Sequence, residues 1–93
     1  MADVMEALYR TIEGRRTKMP EGSYTSTLFA AGLPRIAQKV GEEAVETTVA
    51  ALAEPGDRVV SEMADLMYHC LVLLSARGLA WSEVSAELKR RFK

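Results

Sequence analysis

Two long stretches with helical periodicity, separated only by the turn EPGD at residues 54–57, constrain this chain more than any other feature. The first helix is predicted over about residues 34–53, because a proline does no harm in a first turn, where its missing N–H is not needed. Asp57 is a good N-cap for the second helix, predicted over about residues 57–77 and closed by Gly78. Because the break is so short, the two helices are expected to lie antiparallel, side by side.

A further helix and a polar loop precede this hairpin. Near the N-terminus, apolar residues recur at the three- to four-residue spacing of one helix face: Val4, Met5, Leu8 and Ile12. This spacing predicts a helix over about residues 3–13 that stops near Gly14. Residues 14–25 contain two glycines and a proline among hydroxyl and cationic side chains, which predicts a loop.

The rest of the chain is also predicted to be helical. A short helical turn is expected over residues 26–31, ending at Gly32, and a last helix over residues 81–92. The sequence therefore predicts an all-α antiparallel bundle of four to five helices, in a single domain over residues 1–93. A chain of this size buries only a modest core, so we expect homodimerisation to complete the bundle.

The composition argues against several classes of protein. With 48% apolar and 27% charged residues the chain is too apolar to be disordered, and a net charge of −1 gives no general reason to expect nucleic-acid or membrane binding. The only cysteine, Cys70, lies in an apolar run, so no internal disulfide can form. The N-terminus does not resemble a signal peptide, and no apolar stretch reaches the roughly 20 residues that span a bilayer. The predicted location is the cytoplasm.

Charged residues form one stripe on each long helix. At about 100° per residue, three residues on each helix share a face: Lys39, Glu43 and Glu46 on the first, and Arg58, Glu62 and Asp65 on the second. Small and apolar residues occupy the opposite arcs: Ala37, Val40, Ala44, Thr48, Ala51 and Leu52 on the first, and Val59, Met63, Leu66, Met67, Cys70 and Leu74 on the second. On the ordinary interpretation both stripes face solvent and contain weak i,i+4 ion pairs.

A second interpretation places the two acidic stripes against each other. The second helix is apolar on almost every side, and the small residues of the first allow a neighbouring helix to come close. Four carboxylates would then converge and repel one another unless a cation lay between them: those of Glu43, Glu46, Glu62 and Asp65. Oxygen ligands select hard cations, and Mg²⁺ combines a few carboxylates with water and phosphate. Zinc is disfavoured, because the only histidine and the only cysteine are adjacent in sequence and point in different directions.

The motifs EAVE at 43–46 and EMAD at 62–65 resemble the E-x-x-E and E-x-x-D pattern of the all-α nucleoside triphosphate pyrophosphohydrolases that include the MazG-type enzymes. Nearly the whole chain resembles the phosphoribosyl-ATP pyrophosphohydrolases of histidine biosynthesis, through SYT at 23–25, KVGEEAVE at 39–46, DLMYH at 65–69 and ELKRR at 87–91. The resemblance implies Mg²⁺-dependent hydrolysis of phosphoribosyl-ATP to phosphoribosyl-AMP and pyrophosphate, by a homodimer.

On this hypothesis the acidic residues divide into ligands and catalytic groups. Glu43, Glu46, Glu62 and Asp65 would hold the metal ion, which orients water for attack between the alpha and beta phosphates. The catalytic residues would be Glu43 and Glu42. For Glu42 an outer ligand, a base that orients the water and a solvent-facing side chain all remain possible.

Cationic and hydroxyl side chains near this end of the bundle would bind the phosphates, and six of them are predicted to do so: Arg15, Lys18, Ser23, Tyr24, Thr25 and Lys39. Three of these have alternative roles. Lys39 could pair with Glu43, Thr25 could cap the short helix, and Tyr24 could be a core anchor. For His69, a structural hydrogen bond to a neighbouring helix or subunit is favoured over catalysis. The sequence leaves open which subunit supplies the loop.

Two other functions fit parts of the pattern. A house-cleaning pyrophosphohydrolase acting on dCTP, dUTP or damaged nucleotides would use the same four acids. A non-catalytic helical interaction module would explain the helices without using the acids at all.

Overall fold

Five α-helices make up the architecture of residues 3–92, the part of the chain that the computed structural model describes. They are α1 (Val4–Lys18), α2 (Tyr24–Ala31), α3 (Leu33–Ala53), α4 (Gly56–Ala76) and α5 (Trp81–Arg91). Within residues 3–92 there is no β-strand, and the all-α prediction is confirmed. Helices α3 and α4 form the predicted hairpin, α1 and α2 pack against it, and α5 packs against α1.

Helix α1 is longer than the sequence predicted. It continues through Gly14 and ends where Met19 adopts a left-handed conformation, with φ 48°. A helical glycine costs only about 1 kcal/mol relative to alanine. Arg16, in the added turn, donates a 3.0 Å hydrogen bond to Ser75 of α4 and so stabilises the extension. The prediction that the helix stops near Gly14 is therefore wrong, and the loop shrinks to residues 19–23.

Helix α2 begins two residues earlier than predicted, and its N-cap is Ser23. The Ser23 hydroxyl accepts a hydrogen bond from the Ser26 N–H at 3.2 Å, the usual contact of a capping side chain. Thr25 is therefore not the cap. It lies buried inside the first turn, with its hydroxyl 2.5 Å from the Tyr68 hydroxyl of α4.

The connection between α3 and α4 is only two residues long, Glu54 and Pro55. Pro55 takes the N-cap position in an extended conformation, and its carbonyl accepts hydrogen bonds from the N–H groups of Arg58 and Val59 at 3.0 and 3.3 Å. Asp57 lies inside the first turn, so its prediction as N-cap is wrong. Proline already supplies the extended backbone that a cap requires, which starts the helix one residue before Asp57.

The apolar core lies at the end of the hairpin remote from this turn. Its buried side chains come from four helices: Tyr9 and Ile12 of α1, Leu28 of α2, Ile36 of α3, and Leu71 and Val72 of α4. We call residues 33–42 and 67–76 the base half of the hairpin, and residues 43–53 and 56–66 the distal half. In the distal half the buried residues are a different set: Glu43, Thr47, Ala50 and Glu62.

Apolar side chains on the outside of the hairpin are left uncovered in the single chain. We call six of them the outer apolar face: Val45, Val49, Leu52, Val60, Met63 and Met67. Leu52 is 89% exposed and Val60 71%. The expectation that α4 is buried over most of its circumference is thus not met within one chain. Because Glu43 and Glu62 turn inward, the apolar side chains on the far sides of both helices face outward.

Helix α4 also corrects the expectation about membrane-spanning length. By length and composition alone, this 21-residue helix could cross a membrane. Core helices of soluble proteins meet the same criteria, so one such helix is a weak indication. The helix also carries Glu62 and Asp65, and acidic groups are costly within a bilayer.

Candidate active site

Three carboxylates meet where α3 and α4 face each other. Glu43, Glu62 and Asp65 each offer an oxygen within 4.8 Å of the others. Glu43 and Glu62 are only 7% and 9% exposed, whereas Asp65 is open to solvent. Like charges so close together favour a cation between them, and an oxygen-only set suits a hard divalent ion. These three residues, which we call the acidic cluster, could therefore bind a metal ion.

Glu46, the fourth predicted acid, lies one turn beyond Glu43 and outside the acidic cluster. It is exposed, and its hydrogen bond to Glu43 and the Glu43 charge raise its pKa. For Glu43, burial acts to raise the pKa, but hydrogen bonds from Glu46 and Lys39 outweigh burial and lower it. As the pH falls, Glu46 is therefore the first of the two carboxylates to take up a proton, and Glu43 stays ionised to lower pH.

Thr47 holds the two acidic helix edges together. Its buried hydroxyl lies 2.8 Å from the carbonyl oxygen of Glu43 and 3.2 Å from that of Glu62. One side chain thus links the backbones of two members of the acidic cluster, one on each helix. Sequence reasoning missed Thr47, although its position one turn after Glu43 was a usable signal.

Each long helix also places a cation on its own buried glutamate. Lys39 Nζ lies 3.4 Å from Glu43 Oε1, and Arg58 Nη2 lies 2.5 Å from Glu62 Oε1. Partial burial would lower the pKa of Lys39, but nearby Tyr24 and the paired carboxylates raise it. The pairing alternative for Lys39 is therefore the one observed. The Arg58 pair, treated from sequence as an ordinary surface pair, adjoins the acidic cluster.

Glu42 lies outside the acidic cluster. Its carboxylate accepts a 3.0 Å hydrogen bond from Gln38 and lies 3.7 Å from both Arg35 and Lys39. The Glu42 side chain is partly exposed in the single chain, and its roles as outer ligand or base stay predictions. Lys39 is its link to the cluster, since the same ammonium also contacts Glu43.

The segment 23–25 lies against α4 next to the acidic cluster. Arg15 Nη1 donates a 3.3 Å hydrogen bond to Ser23 Oγ, and the Tyr24 hydroxyl lies 3.1 Å from His69 Nε2. Within one chain, this segment therefore contacts α4 one turn beyond Asp65. Of the other cations near the loop, Lys18 is exposed in the last turn of α1, and Arg16 turns away from the loop toward Ser75.

His69 connects this segment to the acidic cluster. The ring is only 4% exposed, and Nδ1 lies 2.7 Å from the backbone carbonyl of Asp65. A carbonyl can only accept, so Nδ1 carries the proton, and in the neutral ring Nε2 accepts from the Tyr24 hydroxyl. The expected structural hydrogen bond from His69 to a neighbouring helix is confirmed. The neighbouring residue Tyr68 hydrogen-bonds Thr25 of α2.

The chain is similar to known proteins over nearly its whole length. The sequence model of the family described as phosphoribosyl-ATP pyrophosphohydrolase matches residues 5–92. A protein of Metallosphaera sedula named phosphoribosyl-ATP pyrophosphatase is 55% identical over 93 residues, which are 100% of both chains. Proteins of the same name from Pyrobaculum calidifontis and Ignicoccus hospitalis are 54% and 48% identical, over 97% and 98% of this chain and 96% and 89% of their own.

Proposed function

Because this chain belongs to the phosphoribosyl-ATP pyrophosphohydrolase family, we propose that it hydrolyses phosphoribosyl-ATP to phosphoribosyl-AMP and pyrophosphate, a step of histidine biosynthesis. The observation that carries the proposal is the meeting of Glu43, Glu62 and Asp65 across the hairpin, in a chain that matches this family over residues 5–92. A triphosphate is the kind of substrate that an oxygen-only metal site handles.

In this proposal four carboxylates hold Mg²⁺, which supplies charge neutralisation for the phosphates: Glu43, Glu46, Glu62 and Asp65. Water attacks phosphorus in line, the bond between the alpha and beta phosphates breaks, pyrophosphate leaves, and a carboxylate of the site accepts the proton released by the water. Glu43, which its neighbours keep ionised, orients the water. Glu42, which Lys39 links to Glu43, is proposed to act from outside the acidic cluster as an outer ligand or as a base that orients this water.

The substrate's phosphates and sugar are proposed to contact six residues: Arg15, Lys18, Ser23, Tyr24, Thr25 and Lys39. The support is their placement. Arg15 bonds Ser23 at the start of α2, and Tyr24 reaches the His69 ring that is tied to Asp65. Cationic and hydroxyl groups therefore lie next to the acidic cluster, where a phosphate chain would pass.

A second copy of the chain is proposed to cover the outer apolar face. Exposed apolar patches of this kind mark interaction sites, and a 93-residue chain gains substantially from pairing. The dimer is tested by light scattering over a range of concentrations. Val49→Glu should give the mass of a single 10.2 kDa chain, whereas Ser82→Glu on α5 should not alter the mass. A monomeric wild-type protein would contradict the dimer.

We also propose that residues 1–93 form a single domain and that the protein is located in the cytoplasm.

The function is tested by offering the purified protein phosphoribosyl-ATP and the common nucleoside triphosphates with Mg²⁺, and measuring pyrophosphate release from each. We expect the highest kcat/KM for phosphoribosyl-ATP. Equal or faster turnover of dCTP or dUTP would instead indicate a house-cleaning enzyme. An ion that binds the folded state must stabilise it. If Mg²⁺ neither supports turnover nor shifts the melting temperature, the result would therefore favour the non-catalytic interaction module.

A further inference from the structure

Two hydrogen bonds between distant parts of the chain join α2 to α4. Tyr24 contacts His69, and Thr25 contacts Tyr68, so two consecutive residues of one helix meet two consecutive residues of another. The rings of Tyr24, Tyr68 and His69 also pack together, with centroid separations of 4.9 to 6.2 Å. These contacts fix how α2 sits against the acidic cluster.

Within this group Tyr24 is the residue that faces outward. It is 52% exposed, whereas His69 behind it is 4% exposed. Its hydroxyl is held by His69, while much of its ring remains free to contact a ligand. A tyrosine ring presented in this way offers an apolar face suited to a sugar or base.

The histidine holds two groups at once. Nδ1 donates to the Asp65 carbonyl at 2.7 Å, and Nε2 bonds the Tyr24 hydroxyl at 3.1 Å. Its ring orientation is thereby set by the backbone at an acidic-cluster residue. The same orientation sets where the Tyr24 hydroxyl lies.

We propose that His69 is a positioning residue that acts through Tyr24: it anchors the tyrosine hydroxyl and so holds the half-exposed ring in place against the substrate. The inference rests on the proposed function. It gives His69 no contact with the reacting atoms. The loss of the anchor should weaken substrate binding, because an unanchored ring must be ordered when substrate binds.

Four variants test this coupling. Tyr24→Phe and His69→Asn each remove the same hydrogen bond, although the asparagine can still donate to the Asp65 carbonyl. Each should raise KM for phosphoribosyl-ATP about fivefold, the equivalent of one neutral hydrogen bond, with kcat within about twofold of wild type. The double variant should also show about a fivefold rise, because both changes break one contact. His69→Gln, whose amide reaches farther toward Tyr24, should restore part of the loss.

Tyr9→Phe is the matched control. It removes a tyrosine hydroxyl that donates to the Leu79 carbonyl at 2.5 Å, outside the proposed site, and should leave KM unchanged. Titration calorimetry with Mg²⁺ alone should give affinities within about twofold of wild type for the Tyr24 and His69 variants, since a twofold change is under 0.5 kcal/mol.

Three results would overturn the proposal. One is an increase of about 25-fold in the double variant, the product expected of independent sites. Another is a lower kcat at unchanged KM, which indicates only a smaller folded fraction. The third is wild-type KM in Tyr24→Phe. A wild-type protein that does not hydrolyse phosphoribosyl-ATP would instead remove the proposed function itself, which is a different outcome from any of these.

Discussion

The two halves of the α3–α4 hairpin are stabilised in different ways. The base half buries Ile36, Leu71 and Val72 in the apolar core, beneath α1 and α2. The distal half buries Glu43 and Glu62, while its apolar side chains face outward. Burial of an aliphatic side chain stabilises by roughly 1.5–3 kcal/mol, whereas buried like charges destabilise unless they are compensated. The distal half therefore needs partners that the single chain does not supply. We propose a metal ion at the acidic cluster and a second copy of the chain at the outer apolar face.

The largest effect is expected on kcat, from substitutions in the acidic cluster at the border of the two halves. Glu62→Gln or Glu43→Gln should lower kcat by at least about 10³-fold, because several kcal/mol of charge stabilisation by the metal is lost. Helix content, measured by circular dichroism, should not change. The control is Glu54→Gln, an acid of the α3–α4 connection outside the cluster, which should retain activity. Full turnover by either cluster variant would contradict the assignment.

The second-largest effect is on the free energy of unfolding, which substitutions in the two halves should lower by different amounts. Leu71→Ala removes a fully buried side chain and should lower the free energy of unfolding by about 3 kcal/mol. Val49→Ala, on the outer apolar face, should cost less than about 0.5 kcal/mol in dilute protein. Urea denaturation at low protein concentration measures both. Similar losses at the two positions would mean that the halves do not differ as described.

A smaller effect concerns the threonine that joins the acidic helix edges. Thr47→Val keeps the shape and removes the hydroxyl, so it should weaken Mg²⁺ binding about fivefold by loosening the spacing of Glu43 and Glu62. Thr48→Val is the matched control, because the Thr48 hydroxyl contacts only the Val45 carbonyl of its own helix. Calorimetric titration of both variants with Mg²⁺ gives the comparison, and equal affinities would count against a role for Thr47.

The smallest effect is the pH dependence of stability set by Glu46. A pKa raised above its ordinary value of about 4.5 contributes stability below that pH, and the contribution is lost as pH rises through the raised pKa. Ionised Glu46 therefore weakens the metal-free protein at neutral pH. Glu46→Gln should raise the melting temperature slightly at pH 7, with the difference vanishing below about pH 4.5. Thermal melts across this range in chelator measure it, and a lower melting temperature at pH 7 would contradict the assigned direction.

Much of the hairpin could be predicted from the sequence, because the signals are local. Proline and glycine at 55 and 56 fix the break, and E-x-x-E with E-x-x-D fixes which acids share an edge. The predicted ends of the helices were less accurate. Gly14 and Thr25 were assigned from local preference, whereas their surroundings are set by contacts with α4.

Other features depend on contacts between residues that are far apart in sequence, and helical periodicity does not reveal these contacts. A helical pattern shows that two stripes exist, but not which of them faces the neighbouring helix and which faces a second copy. The same limit hid Thr47, whose importance comes from the Glu62 carbonyl fifteen positions away. It also hid the hydrogen bond of Tyr68 with Thr25, which pairs residues 43 positions apart.

The two-residue connection between α3 and α4 also affects the order in which contacts form during folding. Contacts close in sequence form faster than distant ones, since less chain entropy is lost in closing the intervening loop. Glu43 and Glu62 are joined through this two-residue link, whereas the contact of Tyr24 on α2 with His69 on α4 spans 45 positions. We therefore expect these carboxylates to approach each other early in folding, before α1 and α2 dock on α4. Higher φ-values at Ala50 than at Leu28 would support that order of events.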